Sequence, residues 1–348
     1  MKIIVDDKIP YLKGIIEKIT PEVLFVSGKD FNKSLIKDAD ALIVRTRTLC
    51  NQELLEGSSV KFIATATIGY DHIDTDYCHK AGITWTNAPG CNANSVAQYI
   101  ESSLLLLKVQ KEFNLNALTI GIVGVGNVGK KVADVARNLG MRVLLNDPPR
   151  EKNENIKGFY SLEQLAQESD IITFHVPLNQ SGAYKTLHLG NQTFFSSLKR
   201  RPIIINTSRG EVLETEALLE ALEKGEIADA IIDVWENEPN LNLPLLEKVF
   251  IGTPHIAGYS ADGKANATRM SLDALCRFFN INENYNIAPP EPESSIISAK
   301  SREEALLQIY NPTNDSQRLK EHPEQFEFFR GNYPLRREEN AYHLIIEK

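Results

Sequence analysis

Three charged residues follow runs of apolar residues and could together move a proton beside a bound carboxylate. With the polar segments that contain them, they are Arg209 (206–210), Glu238 (233–239) and His255 (253–259). An arginine presents a planar fork that matches a carboxylate and keeps its charge at all relevant pH values. Imidazole is a general acid or base near neutrality, and a carboxylate on its second nitrogen stabilises the imidazolium. The trio therefore predicts proton transfer on a carboxylate-containing substrate.

Each of the three residues also has a plainer interpretation. Taken alone, Arg209 reads as a surface salt-bridge residue, Glu238 as a solvated loop acid and His255 as a hydrogen-bonded core histidine. However, all three follow predicted strands, and the carboxyl ends of strands in a doubly wound sheet face the ligand crevice. Their joint placement favours a catalytic site. We expect five further histidines to lack carboxylate partners and to be surface or packing residues: His72, His79, His188, His322 and His343.

A glycine motif in the middle of the chain predicts a dinucleotide site. The run 118–123 leads directly into Gly-x-Gly-x-x-Gly, and a helical apolar pattern follows it as far as Gly140. The first glycine permits a tight turn, the second a close approach to a pyrophosphate, and the third close packing of helix on strand. The amino terminus of the helix supplies N–H donors for the phosphates. The predicted cofactor residues here are Gly124, Gly126, Asn127, Val128 and Gly129.

Asp147 ends the next predicted strand, about 20 residues beyond the glycines, where an acid accepts hydrogen bonds from the adenosine ribose. Because this carboxylate would repel a 2′-phosphate, the pattern favours NAD over NADP. Arg150 is a reservation, since it lies near enough in sequence to meet such a phosphate. The alternative is a glycine turn in some other α/β protein, with Asp147 only beginning the turn 147–149.

The elements that position these residues alternate between short β-rich runs and helical patterns through about the first 280 of the 348 residues. A first small sheet is predicted from strands at 3–5, 41–44, 62–65 and 83–86. Ser95 and Gln98 fit a capping box that opens a helix running to about Lys111. Six further strands, enough for a dinucleotide-binding sheet, are predicted at 118–123, 142–146, 171–175, 203–206, 230–234 and 249–251.

The last part of the chain has a different texture. A proline-rich linker at 287–293 leads to a strand at 295–299, helical patterns between 303 and 330, and a strand at 342–346. A piece of about 50 residues has marginal stability alone, so we expect it to pack against the body or another subunit.

Together the glycine motif and the three polar segments closely resemble the D-2-hydroxyacid dehydrogenase family, over nearly all of residues 1–280. The resemblance implies an α/β fold with a flavodoxin-like substrate domain, a Rossmann NAD domain and a small C-terminal α+β dimerisation domain. The expected boundaries are 1–95 with 257–284 for the substrate domain, 96–256 for the NAD domain, and 285–348 for the dimerisation domain.

The family assigns the carboxylate-binding, carboxylate-partner and acid/base roles to the positions that match Arg209, Glu238 and His255. It also implies cofactor contacts from His175, Thr207, Ser208, Arg209, Asp233 and Gly258. For several of these positions the alternative is an ordinary cap at a strand end.

Four stretches are most similar to family members that act on a phosphorylated four-carbon hydroxy acid: 44–46, 64–72, 88–93 and 253–259. This similarity implies that Thr46, Thr67 and Tyr259 contact the substrate and that Gly69 offers its N–H to the substrate carboxylate. Thr46 stands where serine is common in the family, which keeps the hydroxyl. The substrate phosphate needs a cation, for which Arg45 is the first candidate, followed by Arg47 and then by Arg336 or Arg337.

Composition excludes several classes of protein. A formal net charge of −8 disfavours binding to nucleic acid or to an anionic membrane surface. The four cysteines have neither metal nor disulfide spacing, so we expect free thiols in a cytoplasmic protein and no metal. The expected cofactor is NAD, on the evidence of the glycine motif and Asp147. We also expect a homodimer. Two other functions remain open alternatives. One is a dehydrogenase of the 3-phosphoglycerate or glyoxylate type, and the other is a corepressor-like protein that binds NADH without turnover.

Overall fold

The computed structural model describes residues 1–155, 157–283 and 285–347 and divides the chain into two compact units. Unit 1 comprises Met1–Asn92 and Ser260–Glu291, and unit 2 comprises Ala93–Tyr259 and Pro292–Lys348. The predicted domain ends at residues 284 and 348 fall on positions outside the described residues. Within the described part of the chain, no helix is both long and apolar enough to cross a bilayer.

Thirteen strands and fourteen α-helices are described. The strands are β1 (Ile3–Asp6), β2 (Val23–Val26), β3 (Ala41–Val44), β4 (Phe62–Thr65), β5 (Thr84–Thr86), β6 (Thr119–Val123), β7 (Arg142–Asn146), β8 (Ile171–Phe174), β9 (Ile203–Asn206), β10 (Asp229–Ile232), β11 (Ile251–Gly252), β12 (Ile296–Ala299) and β13 (His343–Ile346). The helices are α1 (Lys33–Ile36), α2 (Gln52–Leu55), α3 (Thr75–Ala81), α4 (Ala93–Gln110), α5 (Asn127–Asn138), α6 (Pro148–Glu154), α7 (Leu162–Glu168), α8 (Gln192–Ser197), α9 (Thr215–Lys224), α10 (Leu243–Lys248), α11 (Ala261–Phe278), α12 (Arg302–Ile309), α13 (Pro312–Glu321) and α14 (Phe326–Gly331).

Unit 1 contains a five-stranded parallel sheet in the order β2-β1-β3-β4-β5, the flavodoxin-like arrangement. Its central strands are fully buried because they consist mainly of apolar residues, which face cores on both sides. The helix α11 packs against β4, with the ring centres of Phe62 and Phe278 5.0 Å apart. Strand β2 escaped prediction because it is a partly exposed edge strand without a buried apolar run or a clear alternation.

Unit 2 contains a six-stranded parallel sheet in the order β11-β10-β9-β8-β6-β7. All six strands predicted from the sequence are present, with ends that agree within two residues. The chain order reverses direction across the sheet between β6 and β8, and the carboxyl ends of strands at such a switch point form a ligand crevice. The predicted site residues of this unit follow those strand ends.

Helix α4 is present, but its predicted start is wrong. The helix begins at Ala93, so Ser95 lies inside the first turn rather than at the cap. The Ser95 hydroxyl donates instead to the Glu338 carboxylate, with an Oγ–Oε1 distance of 2.8 Å. A partner 243 residues away cannot be read from the local pattern that suggested a capping box.

The C-terminal segment packs within unit 2. Its two strands, β12 and β13, pair in parallel, and helices α12 and α13 contact α4. Leu319, Phe326 and Phe329 belong to the same buried core as Ile204 and Ile232 of the six-stranded sheet. The predicted fold class is therefore confirmed: an α/β protein with two parallel sheets and a small C-terminal α+β part.

Candidate active site

Glu238 and His255 form a close pair after adjacent strands β10 and β11. The imidazole Nδ1 lies 2.8 Å from the Glu238 Oε2, while Oε1 accepts the Trp235 N–H at 3.0 Å. Both side chains are mostly buried, with 27% of His255 and 18% of Glu238 exposed. Burial raises the pKa of Glu238, but the His255 bond and charge, the Trp235 amide and the Arg330 charge outweigh it and hold that pKa below its usual value. The carboxylate is therefore poised to stabilise an imidazolium.

Asp233 fixes the loop that presents His255. The backbone of His255 has a φ of +57°, a left-handed conformation that costs free energy in a residue with a Cβ. The Asp233 carboxylate, only 1% exposed, compensates by accepting the N–H groups of Ile256 (2.8 Å) and Ala257 (3.0 Å) and the Thr253 hydroxyl (2.7 Å). Its predicted cofactor contact stays a prediction, and these bonds give it a role in orienting the imidazole.

Arg209 follows β9, the neighbour of β10, and its side chain is partly exposed. The Asn206 side-chain amide donates to the Arg209 carbonyl at 2.9 Å. The Asn206 Oδ1 accepts hydrogen bonds from the Ser208 N–H and the Ser208 hydroxyl. Gly210 then passes so close to the next loop that an added Cβ would lie 2.0 Å from the Trp235 carbonyl carbon. This close approach sets the Arg209 loop beside the segment that contains Glu238.

The glycine motif has the geometry that a bound pyrophosphate needs. Gly124 has a φ of +88°, and a Cβ there would lie 2.5 Å from the His175 carbonyl oxygen. A Cβ on Gly129 would lie 2.0 Å from the Gly124 oxygen, whereas a Cβ on Gly126 would meet nothing within 4 Å. The amino terminus of α5 has no side-chain cap. Open space beside uncapped N–H groups fits a phosphate ligand.

The acidic residue at the end of β7 fits an adenosine ribose. Asp147 caps α6, accepting the Val125 N–H at 2.8 Å and the Arg150 N–H at 3.1 Å. A carboxylate has about four acceptor sites, so its oxygens retain capacity for ribose hydroxyls. The Arg150 guanidinium forms two bonds of 2.7 and 2.6 Å to Glu154. Because Glu154 offsets the positive charge of Arg150, this arginine is a weaker candidate for binding a 2′-phosphate. NAD therefore remains favoured over NADP.

His175, which follows β8, lies between two threonines. Its Nε2 is 2.9 Å from the Thr173 hydroxyl and its Nδ1 is 3.3 Å from the Thr207 hydroxyl. Burial lowers the pKa of His175 to about 3, so the ring is neutral at physiological pH. The other predicted cofactor residues in this region are Ser208, which is buried, and Gly258, which is partly exposed.

The predicted substrate residues of unit 1 meet at one edge of its sheet. Arg45 and Thr46 directly follow β3, and Thr67 follows β4, its partner strand. The Thr67 hydroxyl donates to the Gly69 carbonyl at 2.8 Å, which shapes the loop whose N–H was predicted to bind a carboxylate. The Arg45 guanidinium donates to the Lys8 carbonyl at 3.2 Å.

Two arginines of the C-terminal segment lie beside the site residues of unit 2. Arg330 donates to the Tyr259 hydroxyl at 3.1 Å and lies 3.9 Å from the Glu238 carboxylate. Arg336, a predicted phosphate candidate, is only 5% exposed and donates to three backbone carbonyls, including those of Ile256 and Ala257. Arg336 therefore holds the His255 loop. Neither contact could be predicted from a local pattern, because the partners lie at least 71 residues away in the sequence.

The expectation that the remaining histidines lack carboxylate partners is wrong for two of them. His322 Nδ1 lies 3.6 Å from the exposed Glu324 carboxylate, and His188 has a closer and less exposed partner. The His188 Nε2 lies 2.7 Å from Glu236, which also accepts the Thr215 N–H at 2.7 Å. Glu236 follows β10, as Glu238 does, so the loop after β10 supplies the carboxylate that pairs with His188 and the one that pairs with His255.

Comparison with known proteins agrees with this geometry. Residues 102–257 match the family described as D-isomer specific 2-hydroxyacid dehydrogenase, NAD binding domain. The solved structure of D-lactate dehydrogenase from Aquifex aeolicus, complexed with NAD and lactic acid, is similar with a TM-score of 0.66 and 27% identity. The likeness covers 83% of this chain and 100% of that chain. The family match and this structural likeness identify the chain as an NAD-dependent 2-hydroxyacid dehydrogenase.

Closer relatives cover essentially the whole chain. An erythronate-4-phosphate dehydrogenase of Bacteroides thetaiotaomicron is 67% identical over 345 residues, covering 99% of each chain. Another of the same name, from Bacteroides fragilis, is 65% identical over 348 residues and covers 100% of each chain. The chain therefore belongs to the D-isomer specific 2-hydroxyacid dehydrogenase family.

Proposed function

We propose that the protein oxidises 4-phospho-D-erythronate at C2 to 2-oxo-3-hydroxy-4-phosphobutanoate, as a step in the biosynthesis of pyridoxal phosphate. The observation that best supports a catalytic role is the 2.8 Å contact between the Glu238 carboxylate and the His255 imidazole, in the unit that contains the glycine motif. The choice of this substrate is supported by relatives of that name at 65–67% identity.

The proposed chemistry separates a hydride from a proton. NAD, which the glycine motif and Asp147 would hold, would supply the acceptor for the hydride that leaves C2 of the hydroxy acid. With its Nδ1–H donating to Glu238, His255 uses Nε2 to take the proton of the C2 hydroxyl. Glu238 stabilises the imidazolium that forms, and Arg209 binds the substrate carboxylate and polarises the oxygen at C2 as it becomes a carbonyl. In the reverse direction His255 returns the proton.

The same proposal assigns a task to each part of the chain. Residues 1–95 and 257–284 contribute the substrate domain, 96–256 bind NAD, and 285–348 form a dimerisation domain of a cytoplasmic homodimer. The substrate contacts are Thr46, Thr67, Tyr259 and the Gly69 N–H, with Arg45 as the first candidate for the phosphate. Asp147 selects NAD through the ribose. His175, Thr207 and Asp233 contact the nicotinamide side, with Gly258 nearby, and Ser208 also contacts the cofactor.

The decisive experiment incubates the purified protein with NAD, 4-phospho-D-erythronate and a 2-oxo acid that reoxidises the cofactor, and it measures the 2-oxo-3-hydroxy-4-phosphobutanoate that forms. The comparison substrates are D-erythronate, which lacks the phosphate, and 3-phosphoglycerate, which is one carbon shorter. We expect kcat/KM to be highest for 4-phospho-D-erythronate. A preference for 3-phosphoglycerate or glyoxylate-type acids would refute the substrate, and NADH binding without turnover of any acid would point to a sensing protein.

A further inference from the structure

Arg330 connects the C-terminal segment to the candidate active site. It lies in the last turn of α14, and only 30% of its side chain is exposed. Its Nε donates to the Tyr259 hydroxyl at 3.1 Å, and its Nη1 lies 3.9 Å from Glu238 Oε2 and 3.9 Å from Glu327 Oε1. Two of these three partners were predicted as site residues from sequence, and all belong to unit 2.

Arg330 and His255 share the same carboxylate oxygen. Glu238 Oε2 faces the imidazole Nδ1 at 2.8 Å and the guanidinium at 3.9 Å, while Oε1 is occupied by the Trp235 N–H. The guanidinium keeps the carboxylate ionised when the imidazole is neutral, and it limits how far the carboxylate favours the imidazolium. Such a contact in a mostly buried place is stronger than an exposed surface pair.

We propose that Arg330 is a positioning residue for the reaction. It holds the Glu238 carboxylate against His255 and fixes the hydroxyl of Tyr259, the residue predicted to contact the substrate. The C-terminal segment thereby contributes to catalysis as well as to packing. This inference rests on the proposed function, because it assigns Arg330 a part in the same proton transfer.

Removing the positive charge of Arg330 should shift the pH profile of kcat/KM. The charged groups nearest the imidazole are Glu238 and Asp233 from the loop after β10 and Arg330 from α14, while Arg209 follows the adjacent strand β9. Glu327 faces Arg330. Removing the guanidinium leaves the surroundings more negative, which favours the protonated imidazole. Because oxidation requires the neutral imidazole, the acidic limb of the kcat/KM profile should move to higher pH.

Three variants separate charge from hydrogen bonding. Arg330→Met removes both, Arg330→Gln keeps an N–H donor without charge, and Arg330→Lys keeps the charge without the fork. Arg318→Met is the matched control, since Arg318 lies in the same segment and stacks on Phe329 at 4.7 Å. For each purified variant we would measure the thermal midpoint, NADH affinity, and the pH profiles of kcat and kcat/KM with the 2-hydroxy acid that the wild type oxidises.

We expect kcat/KM of Arg330→Met to fall about 10- to 100-fold with NADH affinity unchanged. The acidic limb of its kcat/KM profile should lie at higher pH than that of the wild type. Arg330→Gln should show the same pH shift with a smaller loss, and Arg330→Lys should keep the wild-type profile. If Arg330→Met does not fold, the Gln and Lys variants decide the question by the same readouts.

A double-mutant cycle with Tyr259→Phe tests the hydrogen bond itself. Because Tyr259→Phe removes the acceptor of the Arg330 Nε–H, the loss from Arg330→Met should be smaller in that background. The inference is overturned if the folded Arg330 variants match Arg318→Met in kcat/KM and in pH profile. Wild-type activity on 4-phospho-D-erythronate tests the proposed substrate separately, so either idea can fail without the other.

Discussion

The proposed proton transfer depends on the His255 imidazole and its carboxylate partner. Nδ1 of His255 lies 2.8 Å from the Glu238 carboxylate, and the backbone of His255 is left-handed, with a φ of +57°. The sequence predicted both residues because each follows a strand of a parallel sheet. It could not predict Arg330, since nothing in the local pattern around residue 330 indicates a partner at Glu238.

We predict that His255→Ala lowers kcat by about 10²- to 10⁴-fold, the usual contribution of a general acid or base. The substitution leaves the glycine motif and Asp147 intact, so NADH affinity should stay near the wild-type value. Steady-state kinetics and a fluorescence titration with NADH measure the two effects. Wild-type turnover in this variant would refute the role of His255.

We predict that Glu238→Gln lowers kcat by about 10²- to 10⁴-fold, because an amide neither stabilises the imidazolium nor specifies the required tautomer. Glu236→Gln is the matched control: this carboxylate lies two residues away in the same loop and pairs with His188. Its effect on kcat should be small after any difference in folded fraction is corrected. Equal losses in both variants would contradict a specific role for Glu238.

Among the elements, the four inner strands of the larger sheet were predictable because each is a short, mostly apolar run that is buried throughout. The edge strand β7 is only partly buried, but its apolar residues 143–145 also indicated a strand. Helix α5 was also predictable. It ends at Asn138, and Gly140 lies just beyond it with a φ of +77°, as expected of a glycine that terminates a helix. Strand β2 and the start of α4 were missed. In both places the outcome depends on long-range neighbours: the sheet edge beside β1, and Glu338 bonded to Ser95.

Two glycines at the start of α5 should respond differently to an added methyl group. At Gly126 the methyl group meets open space, so Gly126→Ala should fold normally but weaken NADH binding about 10-fold or more, by obstructing the pyrophosphate. At Gly129 it would lie 2.0 Å from the Gly124 oxygen, so Gly129→Ala should lower the thermal midpoint. Thermal unfolding and NADH titration separate the two. Normal binding by a folded Gly126→Ala variant would contradict the phosphate assignment.

At the scale of the whole molecule, buried histidines make stability depend on pH. Burial lowers the pKa of His175 from 6.5 to about 3, and it also lowers the pKa of His72 in unit 1. The folded state therefore resists protonation that the unfolded chain accepts. The stabilisation is complete above pH 6.5 and is lost as the pH falls from 6.5 toward 3.

For His175 alone, we expect the free energy of unfolding to fall by about 2 kcal/mol between pH 6.5 and pH 5. Chemical denaturation at a series of pH values measures this slope. His175→Asn should reduce the slope by the equivalent of about one bound proton. His79 is exposed, so His79→Asn should leave the slope unchanged. An unchanged slope in His175→Asn would show that another group dominates the acid sensitivity.

The discontinuity of unit 1 also determines the order in which its parts are made. Strands β1 to β5 leave the ribosome early, but α11, whose Phe278 stacks on Phe62 of β4, is translated only after all of residues 93–259. At ordinary translation rates this interval lasts roughly ten to thirty seconds. During synthesis the nascent chain must therefore keep the α11-facing side of its first sheet from aggregating, while the contiguous six-stranded sheet can complete itself first.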